Sequence, residues 1–315
     1  MKQMISNLIP NQEVMSFFLI TDLPQVRKNK KGTDYACFEL VDKSGKIDAR
    51  LWDVPPGLDV NSLKKVIVKV RGITSEWDGK LQVSISQIRR VEESDGVDLG
   101  DFFERSERDP EEMWKELRHI LATNLTEIPV VQLLSAIFEE NELSFKRAPA
   151  AMKVHHAYIG GLLEHVLDMC KVAIPICENY GLSKDLVLAG CVLHDVGKIF
   201  ELTYDFGIGY SVEGTLVGHI GQGMVLVSEA IRKIDGFPSQ MKMAIMHLVV
   251  SHHGLTSWGS PRVPLMRESI CLHLIDMLSS KMGICARAAK SGISAEGLTE
   301  WVKELEGPLF VMKED

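Results

Sequence analysis

The 315-residue sequence contains no run of eighteen apolar residues. A shorter run does not cross a bilayer as a helix, so no transmembrane span and no membrane partner are expected. Met1 to Ser6 lack the long apolar stretch and small-residue cleavage pattern of a signal peptide, so none is expected. The six cysteines, at positions 37, 170, 177, 191, 271 and 285, form no Cys-x-x-Cys pair. Several of them sit inside apolar helical runs, which points to buried, reduced thiols in a cytoplasmic protein. There is no internal repeat and no low-complexity tract.

What is present divides in two. The length exceeds one average domain, and the apolar fraction of 45% is ordinary for a globular chain. The overall net charge is −8, but residues 1–93 hold 15 Lys and Arg against 12 Asp and Glu, a net of +3. The remainder then holds 20 against 31, a net of −11. Affinity for nucleic acid comes largely from Lys and Arg near phosphates, which the first part can supply.

Residues 12–92 read as five strands: 13–20, 33–42, 46–53, 65–72 and 80–88. Trp77-Asp78-Gly79 between the last two is a hairpin signal. Five strands in about 80 residues predict a small β-barrel of the OB-fold type. Side chains alternate along a strand, so Ala36, Phe38 and Leu40, with Ile47, Ala49 and Leu51, face the core. Tyr35, Arg50 and Trp52 then face outward. The loop Arg27-Lys28-Asn29-Lys30-Lys31-Gly32 adds Lys28, Lys30 and Lys31 beside them. Single-stranded nucleic acid needs flat rings for its bases and positive charge for its backbone. The competing reading is that Trp52 packs on the second domain and the loop is only solvated.

An acidic linker is expected over 94–110 and a helical domain over 111–315. Asp109-Pro110-Glu111-Glu112 reads as a helix start, with Asp as cap, Pro at the first position and acids against the dipole. The histidines concentrate in this helical part. His194-Asp195 ends an apolar helix, where an unpaired polar dipeptide is costly to bury. A divalent cation is a suitable partner, because imidazole and carboxylate are both good ligands. His165, His219, His252-His253 and Asp276 follow the same theme, each within or beside apolar helical sequence. Any one of them alone reads better as a satisfied core residue.

In the order H…HD…H…HH…D they resemble the HD metallohydrolase superfamily, with His194-Asp195-Val196-Gly197-Lys198 the most diagnostic piece. The resemblance implies that His165, His194, Asp195 and Asp276 hold a first metal. Asp195 bridges to a second, held by His219 and by His252, His253 or both. Manganese is the ion favoured, with Fe, Co, Zn and Mg as alternatives. Two ions roughly 3.5–4 Å apart activate water and stabilise the charge of a phosphoryl transition state. Lys198 lies at i+3 from Asp195 on one helical face, where it binds phosphate or assists the leaving group, or is an ordinary lysine with an exposed head. Arg147, Lys153 and His156 form a basic stretch with Lys146 and His155. It reads equally as a guide for a substrate backbone and as a solvated helix start.

The order of a β-barrel, Arg108-Asp109-Pro110-Glu111-Glu112-Met113-Trp114, the stretch Lys153-Val154-His155-His156-Ala157-Tyr158-Ile159-Gly160-Gly161-Leu162-Leu163-Glu164-His165, and His194-Asp195-Val196-Gly197-Lys198 resembles the YhaM family of 3′-to-5′ exoribonucleases over nearly the whole chain. The resemblance implies a manganese-dependent enzyme that acts on single-stranded RNA and to some extent on single-stranded DNA. Two other readings stay open. One is an HD-type nucleotide or cyclic-dinucleotide phosphohydrolase with the barrel as a regulatory module, and the other is a non-catalytic single-strand-binding regulator. The oligomeric state, monomer or homo-oligomer, is not legible.

Overall fold

The structure is a computed structural model that describes residues 3–29, 32–152, 156–204 and 208–312. Of the residues singled out above, Lys30, Lys31, Lys153 and His155 lie outside the described residues. The chain divides between Glu104 and Arg105 into two compact units.

The first unit holds β1 (Glu13–Ile20), β2 (Gln25–Lys28), β3 (Asp34–Asp42), β4 (Gly45–Leu51), β5 (Val66–Trp77) and β6 (Lys80–Arg90). Their order is β1-β5-β6-β4-β3-β2, and β1 also pairs with β3 through Leu19 opposite Val41 and Ile20 opposite Leu40. The sheet thus returns on itself, with β4 and β6 as its one parallel pair, in an OB-fold arrangement. It has six strands where five were expected. Gln25 to Lys28, whose Arg27 and Lys28 were read from the sequence as the start of a basic loop, forms an edge strand on β3. The cause is local: Asn29 accepts from Thr33 N through its side chain and donates through its backbone to Thr33 O, closing a hairpin.

Alternation sets the register. Ala36, Phe38 and Leu40 on β3 and Ile47, Ala49 and Leu51 on β4 are buried. A slip of one residue would turn Tyr35, Cys37 and Glu39 inward instead. At the β5–β6 turn, Asp78 (φ 53°) and Gly79 (φ 71°) both take the left-handed conformation that a tight two-residue hairpin requires.

The acidic stretch from 94 does not behave as one piece. Asp95 accepts from Arg89 at 2.8 Å and Lys69 at 3.2 Å, and Phe102 is buried with Leu19 and Ile67. Residues to Glu104 therefore belong to the β unit. From Arg105 onward the chain belongs to the helical unit.

That second unit contains α1 (Pro110–Asn124), α2 (Ile128–Arg147), α3 (Gly161–Tyr180), α4 (Lys184–Leu193), α5 (Lys198–Glu201), α6 (Val212–Arg232), α7 (Ser239–Ser251) and α8 (Arg267–Ser291). Asp109 caps α1 by accepting from Glu111 N and Glu112 N. Two small hairpins, β7 (Leu202–Thr203) with β8 (Gly209–Tyr210) and β9 (Leu298–Val302) with β10 (Gly307–Phe310), qualify the all-helical expectation. Strands this short carry too little periodicity to be read from sequence.

In α4 every residue from Val187 to Leu193 is buried. A helix apolar on all sides is a core helix. A Cβ on Gly190 would stand 2.8 Å from Leu272 of α8, so the absence of a side chain lets the two helices approach. α8 alone among the described helices is long and apolar enough to cross a membrane. It packs on α3, α4 and α7, with Leu272 and Ile275 buried. The helix ends and faces that meet around α4 are those that carry the histidines and acids.

Candidate metal centre

His165 projects from α3, while His194 and Asp195 follow the last residue of α4. All three are buried, at 0%, 0% and 3% exposure. Asp276 comes from the middle of α8. His165 Nε2 lies 3.3 Å from His194 Nε2 and 3.3 Å from Asp276 Oδ1. His194 Nε2 lies 3.2 Å from Asp195 Oδ2 and 3.9 Å from Asp276 Oδ1. Ligands held about 2.0–2.1 Å from an ion stand roughly 3–3.4 Å apart in tetrahedral or octahedral geometry, so this spacing suits one cation.

The other carboxylate oxygen of Asp195 faces a second group. His219 Nε2 lies 3.5 Å and His252 Nε2 3.7 Å from Asp195 Oδ1. His253 joins them, with its ring 4.3 Å from that of His252 and 5.2 Å from that of His219. Asp195 Oδ1, His219 Nε2 and His252 Nε2 are buried and have no hydrogen-bond partner. Each such orphan costs about 1–3 kcal/mol. Three of them converging on one point form a donor set that could hold a cation.

The remote ring nitrogens point to the same chemistry. His194 Nδ1 donates to Cys191 O (3.0 Å), His252 Nδ1 to Val249 O (2.7 Å) and His253 Nδ1 to Trp258 O (3.1 Å). His219 Nδ1 meets Glu201 Oε1 at 3.1 Å, and His165 Nδ1 meets Ser279 Oγ at 2.9 Å. A carbonyl only accepts, so at least three rings carry the proton on Nδ1 and present a bare Nε2, the form that ligates a metal.

Charge supports this arrangement. Burial alone would raise the Asp195 carboxyl, but the Lys198 ammonium and the His194 ring outweigh it and hold it well below its ordinary value. Asp276 is likewise lowered: burial is overcome by the hydrogen bond to His165 and by His194. Burial lowers His194, yet Asp195 and Asp276 outweigh it and leave the ring raised. The position therefore attracts a cation, and a proton competes with a metal for it. His252 is held well below its usual value by burial and by His194.

All seven residues expected to hold metal are thus brought together. Lys198 donates to Asp195 Oδ2 at 2.6 Å and to the Ala150 carbonyl, so its ammonium restrains the carboxylate. His156, expected in a basic guiding stretch, has its ring 5.4 Å from that of His165. Burial and His165 push it down to about 4, so it lines the metal centre as a neutral ring. Arg147 is exposed at the end of α2, 5.8 Å from the Tyr204 ring. Lys146, from the same stretch, is buried between Glu111 and Glu142.

Glu201, Ser279 and His273 were not anticipated. His273 Nδ1 donates to the His252 carbonyl at 2.8 Å. Two of the three carry a spacing signal: Glu201 is i+3 from Lys198 and Ser279 is i+3 from Asp276, each on the face of a residue already singled out. His273 has none, because its contact is to a backbone atom 21 residues away.

On the β unit, Tyr35 and Trp52 stack with ring centres 5.1 Å apart and planes at 27°. The Arg50 guanidinium lies 5.5 Å from the Trp52 ring centre. Trp52 is 43% exposed. Lys28, at the end of β2, pairs with Asp34 at 3.0 Å.

Residues 162–281, within the helical unit, match the HD domain family. Among solved structures, the β unit is similar to the second OB-fold domain of replication protein A from Methanococcus maripaludis. That match has 25% identity and covers 29% of this chain and 96% of that one, with a TM-score of 0.25. A replication protein A heterotrimer bound to ssDNA is similar at 16% identity over 30% of this chain and 69% of that one, TM-score 0.22.

Proposed function

We propose that the protein is a metal-dependent 3′-to-5′ exonuclease of the YhaM type, which hydrolyses single-stranded RNA, and single-stranded DNA less readily, to nucleoside 5′-monophosphates. The observation that carries the nuclease reading is the outward Tyr35–Trp52 stack with Arg50 beside it, in the same chain as an HD metal centre. A small-molecule phosphohydrolase has no use for an exposed base platform.

The reading gives His165, His194, Asp195 and Asp276 to one divalent ion, and Asp195, His219, His252 and His253 to a second. Manganese is the ion proposed. When bound, such ions supply Lewis-acid polarisation of a phosphodiester and activation of water. The chain's own residues do the rest. Tyr35 and Trp52 stack on bases, and Arg50 and Lys28 meet backbone phosphates. Lys198 holds Asp195 ionised and turns its Oδ1 toward His219 and His252. His156, neutral beside His165, keeps positive charge away from the ions. In the reaction the oxygen of water joins phosphorus, the bond from phosphorus to the preceding 3′ oxygen breaks, and that oxygen takes a proton.

The test is incubation with Mn²⁺ and 5′-labelled single-stranded RNA or DNA. Progressive shortening from the 3′ end with release of monophosphates is expected. An intact oligonucleotide alongside hydrolysis of a mononucleotide or cyclic dinucleotide would replace this reading with the small-molecule one. No turnover of any of them would leave a single-strand-binding regulator.

A further inference from the structure

We infer that Glu201 is a positioning residue that fixes the ring tautomer of His219 and thereby sets the affinity of the second divalent-ion position. The inference rests on the two-ion reading proposed above.

Glu201 ends α5 and is 9% exposed. Its Oε1 accepts from the His219 backbone N–H at 3.0 Å and stands 3.1 Å from His219 Nδ1. One carboxylate oxygen therefore grips both the backbone and the ring of the same residue. α6 makes this possible by breaking immediately before His219. Gly218, at φ 72° and ψ 161°, lies outside the helical region, in territory that essentially only glycine enters. The break leaves the His219 N–H without its helical acceptor, and Glu201 supplies one.

The distance between α5 and α6 is also constrained. A Cβ on Gly197 would fall 2.0 Å from His219 O, and one on Gly214 would fall 2.2 Å from Glu201 O. Backbone thus meets backbone on both sides of the pair. The backbones that carry Glu201 and His219 are therefore held close together.

An ionised carboxylate only accepts hydrogen bonds. The contact therefore places the imidazole proton on Nδ1 and leaves Nε2 bare, buried and 3.5 Å from Asp195 Oδ1. His219 thus has a carboxylate as its Nδ1 partner. His194, His252 and His253 use main-chain carbonyls, and His165 a hydroxyl. A carboxylate partner makes the ring a stronger donor than a carbonyl does, and losing it typically weakens metal binding about 10–100-fold.

The experiment compares the full-length, metal-free protein with Glu201→Ala and Glu201→Gln. Calorimetric titration with Mn²⁺ reads the two sites, and long-range ¹H–¹⁵N correlation reads the His219 tautomer. In Glu201→Ala one of the two Mn²⁺ sites should lose about 10–100-fold in affinity, the other should be unchanged, and His219 should become a mixture of tautomers. Glutamine keeps an acceptor oxygen without the charge. Glu201→Gln should therefore retain the Nδ1–H tautomer and recover part of the affinity, which a merely structural role would not produce. Unchanged affinity at both sites in both variants, or an unchanged tautomer in Glu201→Ala, overturns the inference. A wild-type protein that takes up only one Mn²⁺ overturns it together with the two-ion reading.

Discussion

Trp52→Ala should separate strand capture from hydrolysis. The ring projects from the β unit at 43% exposure, opposite Tyr35 across β3 and β4, and the buried core lies on the other face of the sheet. Stacking of a base on an aromatic ring contributes about 1–3 kcal/mol. Since about 1.4 kcal/mol is tenfold in Kd, the loss corresponds to roughly 5- to 150-fold weaker binding. The cost to the fold should be smaller than for a core ring, about 1–2 kcal/mol, because much of the indole already meets water. Fluorescence anisotropy with a labelled single-stranded oligonucleotide, measured in a chelator so that the substrate persists, reads the Kd directly. Trp52→Ala removes no charge, so the dependence of log Kd on log salt should keep its slope. Arg50→Ala should instead lower that slope by about 0.7. Turnover of saturating oligonucleotide should stay near wild type in Trp52→Ala. A Kd within twofold of wild type, or a fall in kcat at unchanged Kd, would refute the role given to the platform.

Further outcomes follow from the metal centre. Asp195→Ala should abolish hydrolysis while leaving single-strand affinity within twofold, read by product release and anisotropy on the same preparation; near-normal turnover would remove Asp195 from the centre. His156 is held at about 4 against an unfolded value of about 6.5, so the unfolded chain binds the extra proton between these limits and stability falls as pH drops through that window. The full span corresponds to ~3 kcal/mol; urea denaturation of the metal-free protein at pH 7 and pH 5 should show a smaller difference in His156→Asn, whose side chain tolerates the left-handed φ of 49° there, and an equal difference would assign the acid sensitivity elsewhere. Gly218→Ala forces a Cβ onto a backbone at φ 72° and should destabilise the protein by about 1–3 kcal/mol, together with a weaker second Mn²⁺ site; no change in either would mean that the break in α6 is not needed.

The β unit was legible because a half-buried strand writes its burial into alternate residues. Phe38 and Leu40 against Cys37 and Glu39 gave the register that the structure has. Gln25 to Lys28 escaped, because all four residues of that edge strand are exposed and an exposed strand has no alternation to read. The candidate ligands stood out for a different reason: His165, His194 and Asp195 lie in apolar sequence, and the order H…HD…H…HH…D, through its resemblance to the HD metallohydrolases, grouped them. His156 was read with its basic neighbours in sequence, whereas its neighbour in space is His165.

By itself, then, the amino-acid sequence determined an alternating β unit and a helical unit, and placed seven histidines and aspartates within or beside apolar helical sequence. Those facts reside in local periodicity and in the cost of burying polar groups. Only the tertiary structure decided how Asp195 divides its two oxygens and that Glu201 reaches His219 across a break at Gly218. These depend on where α4, α5, α6 and α8 end and how closely their backbones approach. No single segment encodes that, because the contacts join residues whose separation in sequence has no period.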